Sequence, residues 1–274
     1  MIVCGCSDAL RDLRKRLKDY DSVAIAFSGG VDSTLLLQVA LMTLGPERVL
    51  VLYARSALVK EGEQARALAW LQMLKKRCKL RYQLVEWQPL SINAICQNSD
   101  MRCYHCKQRM FSLLQKIQSQ HGMAQLLDGT NADDLLEHRP GLQAARELAV
   151  QSPLADAGCT KACIRSISRK LGLPTWNVPS ASCLATRIPT GTALSLSHLQ
   201  LVARLESAVE ALGYPGCRVR LDSPQAESVL VELDPVHGSA LGPSVQILIE
   251  QTLMKLGVKS VSFQIAYKSR LAFN

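Results

Sequence analysis

Aromatic residues are scarce in this chain, at 5% of 274 residues, so stacking platforms for single-stranded nucleic acid are few. No apolar run approaches the ~18 residues of a membrane span. The first residues, Met1-Ile2-Val3-Cys4-Gly5-Cys6, run straight into charged sequence and lack the apolar core of a signal peptide. A cytoplasmic location without membrane attachment is therefore expected. Internal repeats and low-complexity stretches are absent, which sets aside repeat architectures. The glycine pair at 29–30 is not followed by Gly-Lys-Ser/Thr and belongs to no G-x-G-x-x-G run, so neither a Walker A loop nor the dinucleotide fingerprint is present. One C-x-x-C stands without a second, and no H-x₃₋₅-H follows it. A complete set of zinc-finger ligands cannot be read from it.

What is present reads as a globular protein. With 48% hydrophobic residues and a mean hydropathy of +0.07, the chain can bury one large core and a smaller one. Its 32 basic against 23 acidic residues leave a charge of +9, which favours anionic partners. The runs Arg11, Arg14, Lys15, Arg16, Lys18 and Lys75, Lys76, Arg77, Lys79 read as solvated helix faces or as a tRNA-binding surface. Ten cysteines without a secretory leader point away from a disulfide framework, toward core residues, metal ligands or nucleophiles.

The richest stretch is Ser28-Gly29-Gly30-Val31-Asp32-Ser33. An apolar run, Val23 to Phe27, precedes it, and a leucine-rich stretch, Thr34 to Leu44, follows. The glycines thus sit on a strand-to-helix turn. Lacking Cβ atoms, Gly29 and Gly30 let the backbone close around an anion such as pyrophosphate at the helix N-terminus. Ser28 and Ser33 add hydroxyl donors. Asp32 either holds a metal ion bridging phosphate oxygens or caps the helix. A second motif, Asp128-Gly129-Thr130-Asn131-Ala132-Asp133-Asp134, follows a short strand at 125–127. Its carboxylates suit Mg²⁺ beside phosphate oxygens, or N-cap the next helix. Both motifs end strands and are expected to face one crevice, where parallel sheets bind ligands.

Periodicity predicts helices over 10–18, 33–44, 61–77, 101–120, 160–171, 197–212 and 243–256. Strands are predicted at 23–27, 48–53, 80–86, 125–127, 217–221, 228–233 and 260–267. Alternating strands and helices imply an α/β fold, a Rossmann-like parallel sheet with helices on both faces. A Pro/Ser/Gly-rich stretch at 172–192 reads as loop or linker. The domains are accordingly placed at 1–187 and 188–274, the second a small α+β domain.

Two further motifs carry cysteine chemistry. Cys103-Tyr104-His105-Cys106-Lys107 is half of a zinc site, a redox pair, or two partly buried thiols. Cys183 lies in a small-residue loop with Arg187 four positions on, where a cation favours thiolate. Alternatively it is a buried spacer. Arg218 and Arg220, at i and i+2 of a strand, share one face and suit a phosphate or carboxylate clamp, or a solvated basic strand.

Ser28 to Ser33 resembles the PP-loop of the N-type ATP pyrophosphatases, which split ATP between the α and β phosphates. The run DGTNADD, RPG, SPL, TK, GLPTW, a single Cys, then TRIPTGT is more specific. It resembles the LarE-type ATP-dependent sulfur transferases of nickel-pincer nucleotide synthesis, and the likeness covers essentially the whole chain. The resemblance implies adenylation of a carboxylate of pyridinium-3,5-biscarboxylic acid mononucleotide, then displacement of AMP by sulfur to give a thiocarboxylate. One branch of the family sacrifices the cysteine at the Cys183 position. The other carries C-Y-x-C-K as well, and three thiolates hold a [4Fe–4S] cluster with one open iron. Cys103, Cys106 and Cys183 place this chain with the cluster branch. The resemblance further puts Ser28, Gly29, Gly30, Asp32 and Ser33 on ATP. It puts Asp128, Gly129, Asp133 and Lys161 on the nucleotide and metal side, with Asp32 and Asp133 toward Mg²⁺. Arg187, Glu206, Arg218, Arg220 and Lys268 fall on the substrate side. It implies a homo-oligomer, a hexamer among the sizes it allows.

Two departures stand out. Ala266-Tyr267-Lys268-Ser269-Arg270 replaces the family's usual GYR, so Lys268 keeps the charge without the bidentate fork. His138 stands where an aromatic residue commonly precedes RPG. Cys159 and Cys163, one helical turn apart, are metal ligands or ordinary thiols. tRNA thiolation is the rival activity, and a zinc- or nucleotide-binding protein without catalysis is the rival class.

Overall fold

The computed structural model describes residues 5–136, 140–180, 182–223, 225, 227–234 and 241–265. They form two compact units that interleave in sequence. The first takes in 5–56, Glu61–Pro89 and 101–180. The second takes in Ala57–Lys60, Leu90–Asp100 and the described residues from 182 onward. Cys183 and Arg187, which the sequence reading grouped with the first domain, thus belong to the second unit.

In the first unit β1 (Val23–Phe27), β2 (Val49–Arg55), β3 (Arg81–Glu86) and β4 (Gln125–Leu127) form one sheet in the order β3-β2-β1-β4. All its pairings are parallel. Covered on both faces, such a sheet needs apolar residues on both. Val23, Ile25, Phe27, Val49, Val51 and Tyr53 face a core filled from α1 (Cys6–Lys18), α2 (Val31–Leu44), α3 (Glu61–Cys78) and α8 (Lys161–Lys170). Ala24, Leu50, Leu52, Val85 and Leu126 face the other, built on α5 (Arg102–Gln120) and α6 (Pro140–Glu147). Each fully buried Leu or Ile side chain in these cores contributes about 1.5–3 kcal/mol. The short helix α7 (Pro153–Asp156) completes this unit, whereas α4 (Asn93–Cys96) lies in a strip of the second.

α2 starts at Val31, two residues before the predicted start. Gly30 is its N-cap, with no side-chain cap bond. Asp32 therefore lies inside the first turn and does not cap the helix, which removes one of its two sequence-based roles. α2 is apolar nearly all round because it is wedged between the sheet and the packed helices α1 and α8.

The second unit is a three-stranded sheet of β5 (Arg218–Leu221), β6 (Ser228–Leu233) and β7 (Ser260–Ile265) in that order. β5–β6 is antiparallel and β6–β7 parallel. Val219, Leu221, Val229, Val231 and Leu233 are buried, as are Leu199, Val202, Leu205 and Val209 of α9 (Leu196–Ala211). Ile249 and Leu253 do the same for α10 (Pro243–Met254). The α/β fold with a small mixed-sheet partner matches the sequence expectation. Among the described residues no helix is long and apolar enough to cross a membrane. Cys4, His138 and the stretch from Ala266 on, with Lys268, lie outside the described residues.

Candidate functional site

The β1–α2 turn is locked by its own serines. Ser33 Oγ accepts the Ser28 backbone N–H at 3.2 Å, lies 3.0 Å from Ser28 Oγ, and donates to Gly30 O at 3.3 Å. Gly29 has φ +78, and a Cβ there would stand 2.7 Å from Ala67 Cβ on α3. Only glycine meets both demands. The second motif closes on this turn: a Cβ on Gly129 would lie 3.0 Å from Ser33 N and 3.2 Å from Ser33 Cα. The two glycine loops at neighbouring strand ends are thus in backbone contact, forming a cradle of N–H groups suited to an anion.

Asp128, 6% exposed, directs its carboxylate inward. Oδ1 accepts from Thr130 N at 3.1 Å and Ser152 Oγ at 2.7 Å, and Oδ2 from Thr130 Oγ1 at 2.7 Å. It braces its own loop. Asn131, fully buried, continues the frame: its Oδ1 accepts from Asp133 N at 2.9 Å and Asp134 N at 3.1 Å. Its Nδ2 donates to Asp32 Oδ1 at 3.4 Å. Asp133 Oδ2 accepts the Lys161 backbone N–H at 2.7 Å, putting a carboxylate on the positive end of α8. The Lys161 ammonium returns to Asp32 Oδ2 at 2.5 Å. Asp32, Asp133 and Lys161 are thereby one cluster, half-exposed at the mouth of the glycine cradle.

Cys103 and Cys106 stand at i and i+3 near the start of α5 and share a face. Cys103 is exposed and Cys106 half-buried. Arg102 Nη2 donates to Cys103 Sγ at 3.4 Å. Tyr104 donates its hydroxyl to Glu147 Oε2 at 2.6 Å, and Gln143 donates to Glu147 Oε1 at 2.8 Å, binding α5 to α6. The bond to Glu147 raises the phenol's pKa, and the bond from Tyr104 lowers the carboxyl's.

In the second unit Cys183 caps a 3₁₀ turn, Leu184–Arg187. Arg187 is 4% exposed and Glu206 fully buried, and they bond to each other. Arg187 Nε donates to Glu206 Oε1 at 2.7 Å and Nη2 to Oε2 at 3.3 Å. Nη1 turns to the Cys183 segment, donating to the carbonyls of Ser182 and Cys183 at 3.2 Å each, to Thr186 Oγ1 at 2.9 Å, and to Ser182 Oγ. Arg220 donates to Glu232 Oε1 at 2.6 Å and to Thr186 O at 2.7 Å. The side chain of Arg218, its neighbour on the same strand face, makes no hydrogen bond or ion pair with any described residue. Burial and then the Arg187 charge lower its pKa, with Glu232 opposing the effect and Arg220 adding to it. A guanidinium so placed is relieved by an incoming anion.

A pyridinium-3,5-bisthiocarboxylic acid mononucleotide synthase of Lactiplantibacillus plantarum is 34% identical over 216 residues, 79% of this chain and 77% of the relative. The chain belongs to the LarE-type sulfur transferase family. An uncharacterized protein of Synechocystis sp. is 37% identical over 245 residues, 86% of this chain and 88% of its own. Another, of Methanocaldococcus jannaschii, is 30% identical over 210 residues, 76% and 77%. No protein-family model matches the chain.

In this LarE-type chain the structure brings together Ser28, Gly29, Gly30, Ser33, Asp32, Gly129, Asp133 and Lys161. Asp128 faces its own loop, and Arg187 and Glu206 face each other. Cys103 and Cys106 belong to the first unit and Cys183 to the second. Among the described residues no group of three or more His, Cys, Asp or Glu side chains is arranged as metal ligands. Cys159 and Cys163 are buried. The sequence reading missed Asn131, Ser152 and Lys60. Asn131 and Ser152 lie inside the DGTN and SPL strings; Lys60 lies in no motif.

Proposed function

We propose that the chain is an ATP-dependent sulfur transferase acting on pyridinium-3,5-biscarboxylic acid mononucleotide, making a thiocarboxylate with release of pyrophosphate and AMP. The observation that carries this reading is the close packing of Gly129 on the Ser33 backbone beside the Asp32–Lys161 pair. It supplies N–H groups, hydroxyls, carboxylates and one cation at a single cradle, in a chain of this family. The two glycine turns bind the pyrophosphate portion of ATP. Asp32 would hold Mg²⁺, with Asp133 beside it. Lys161 leaves Asp32 for phosphate oxygen as charge develops there. A free carboxylate resists nucleophiles, whereas the acyl-adenylate carries a good leaving group. Arg218, the guanidinium without a partner among the described residues, holds the substrate's phosphate or second carboxylate.

Cys103 and Cys106, on one helix face with Cys103 exposed, fit as two of the ligands of a [4Fe–4S] cluster, with Cys183 as the third. Such a cluster, held by three thiolates, would supply the sulfide that the reaction needs.

The test is anaerobic reconstitution with iron and sulfide, followed by Mg-ATP and the nucleotide. Formation of AMP and thiocarboxylate together supports the reading; absence of either sinks it. About four irons per chain, lost in Cys103→Ala and Cys106→Ala, is the expected metal content. Conversion of Cys183 to dehydroalanine after one turnover would instead select sacrificial donation.

A further inference from the structure

We propose that Lys60 is a positioning residue for the Cys183 turn. The inference rests on Cys183 being the sulfur-handling thiol of the second unit. Lys60 is far from every motif in sequence, yet Ala57–Lys60 packs with the unit that contains Cys183. The strip reaches the turn once directly and once through α9. Leu184, the residue after Cys183, donates its backbone N–H to Leu58 O at 2.9 Å. Lys60 Nζ donates to Glu206 Oε2 at 2.6 Å and to Glu210 Oε1 at 2.9 Å.

Charge balance explains why Lys60 is needed. The fully buried Glu206 carboxylate has both oxygens engaged: Oε1 by Arg187 Nε and the Val219 N–H, Oε2 by Lys60 and Arg187 Nη2. With Glu210 the set holds two carboxylates and two cations. Remove Lys60 and Arg187 alone must balance the buried Glu206, where unpaired charge is costly, while Glu210 is a third exposed. Arg187 is also the group whose Nη1 holds the Ser182 and Cys183 carbonyls. Lys60 therefore leaves that edge of the guanidinium free for the Cys183 backbone. The side chain is nearly covered, at 11% exposure, so its ammonium serves this interior network and not solvent.

The test is site-resolved alkylation by iodoacetamide, read by peptide mass spectrometry in wild type, Lys60→Met and Lys60→Arg. In protein before reconstitution with iron and sulfide, Cys103, exposed and in the other unit, is the internal rate reference. Cys159 and Cys163, buried in the first unit, report global opening. In Lys60→Met the Cys183 rate relative to Cys103 is expected to rise about tenfold, the size of a lost charge-assisted hydrogen bond, with Cys159 and Cys163 unchanged. Lys60→Arg is expected to restore the wild-type ratio. A Cys183 ratio within about twofold of wild type in Lys60→Met, or an equal rise at Cys159 and Cys163, overturns the proposal. Sulfur transfer by Cys183→Ser would overturn the role given to Cys183 while leaving the Lys60 coupling standing.

Discussion

The Lys161 ammonium stands 2.5 Å from Asp32 Oδ2, while the backbone N–H of the same residue donates to Asp133 Oδ2 at 2.7 Å. One residue at the start of α8 thus engages both carboxylates assigned to the metal side. It neutralises Asp32, and on the proposed reading a metal-bound polyphosphate would exchange for it.

Lys161→Ala is expected to lower kcat about 100-fold, the scale of losing one preorganised electrostatic partner. The pair is a quarter exposed at Lys161, so stability should change by about 1 kcal/mol or less. Steady-state AMP release and thermal melting separate the two effects. A large melting shift with intact turnover would show Lys161 to be a structural brace only.

Gly29 and Gly30 are adjacent yet should respond differently. Gly29→Ala meets Ala67 Cβ at 2.7 Å and a φ of +78, and is expected to destabilise the fold by about 2–4 kcal/mol. At Gly30 the nearest atom to an added Cβ is Ser28 Oγ at 3.5 Å, and φ is −78. Gly30→Ala should cost under about 1 kcal/mol. Urea denaturation of both variants checks the contrast.

Arg218 and Arg220 separate substrate holding from loop holding. Arg218→Met removes a charge opposed by Arg187 and Arg220 and should leave stability level or higher, while raising KM for the nucleotide about tenfold or more. Arg220→Met also breaks the bonds to Glu232 and Thr186 O, so it should lower melting temperature as well. Equal KM effects with equal melting losses would contradict the division.

Alkaline pH should weaken the second unit first. Burial, and then the Glu206 and Glu210 charges, push the Cys217 thiol from 9.0 up to about 12. The unfolded chain therefore releases this proton at lower pH than the fold does, and stability falls as pH rises from 9 toward about 12. Tyr53, raised to about 12 chiefly by burial, acts the same way from pH 10. Burial opposes the charge on Lys60, but Glu206 and Glu210 outweigh it and raise its pKa. Its contribution is complete below 10.5 and lost as pH passes the raised value. Denaturation midpoints at pH 8, 9.5 and 10.5 should decline, and Cys217→Ala should flatten the decline from pH 9.

The sheet was legible because strands 23–27, 81–86 and 125–127 are bounded by turn residues and their apolar runs match a doubly covered sheet. The glycine cradle was legible from its two strand-end turns: Gly29 has a positive φ, and Gly29 and Gly129 each pack too closely on a neighbour for a Cβ. Three things were hidden. Whether Asp32 caps α2 depended on Gly30 taking the N-cap, which two glycines in a row do not decide. Arg187 reads as a substrate guanidinium in any motif, and its burial against Glu206 is a tertiary fact. Lys60 is an ordinary lysine in an unpatterned strip, meaningful only beside a carboxylate on α9.

The interleaving of Ala57–Lys60 and Leu90–Asp100 with the chain beyond 181 bears on inheritance. Asn98 Nδ2 donates to Pro189 O at 2.9 Å, Gly191 N to Asn98 O at 2.9 Å, and Leu194 N to Cys96 O at 2.7 Å. A recombination event that carried off only the C-terminal part of the gene would leave these partners behind, along with Lys60. The Cys183 turn would arrive without the strips that hold it. The cysteine turn therefore keeps its supports only when the stretch from 57 to 100 is passed on with it.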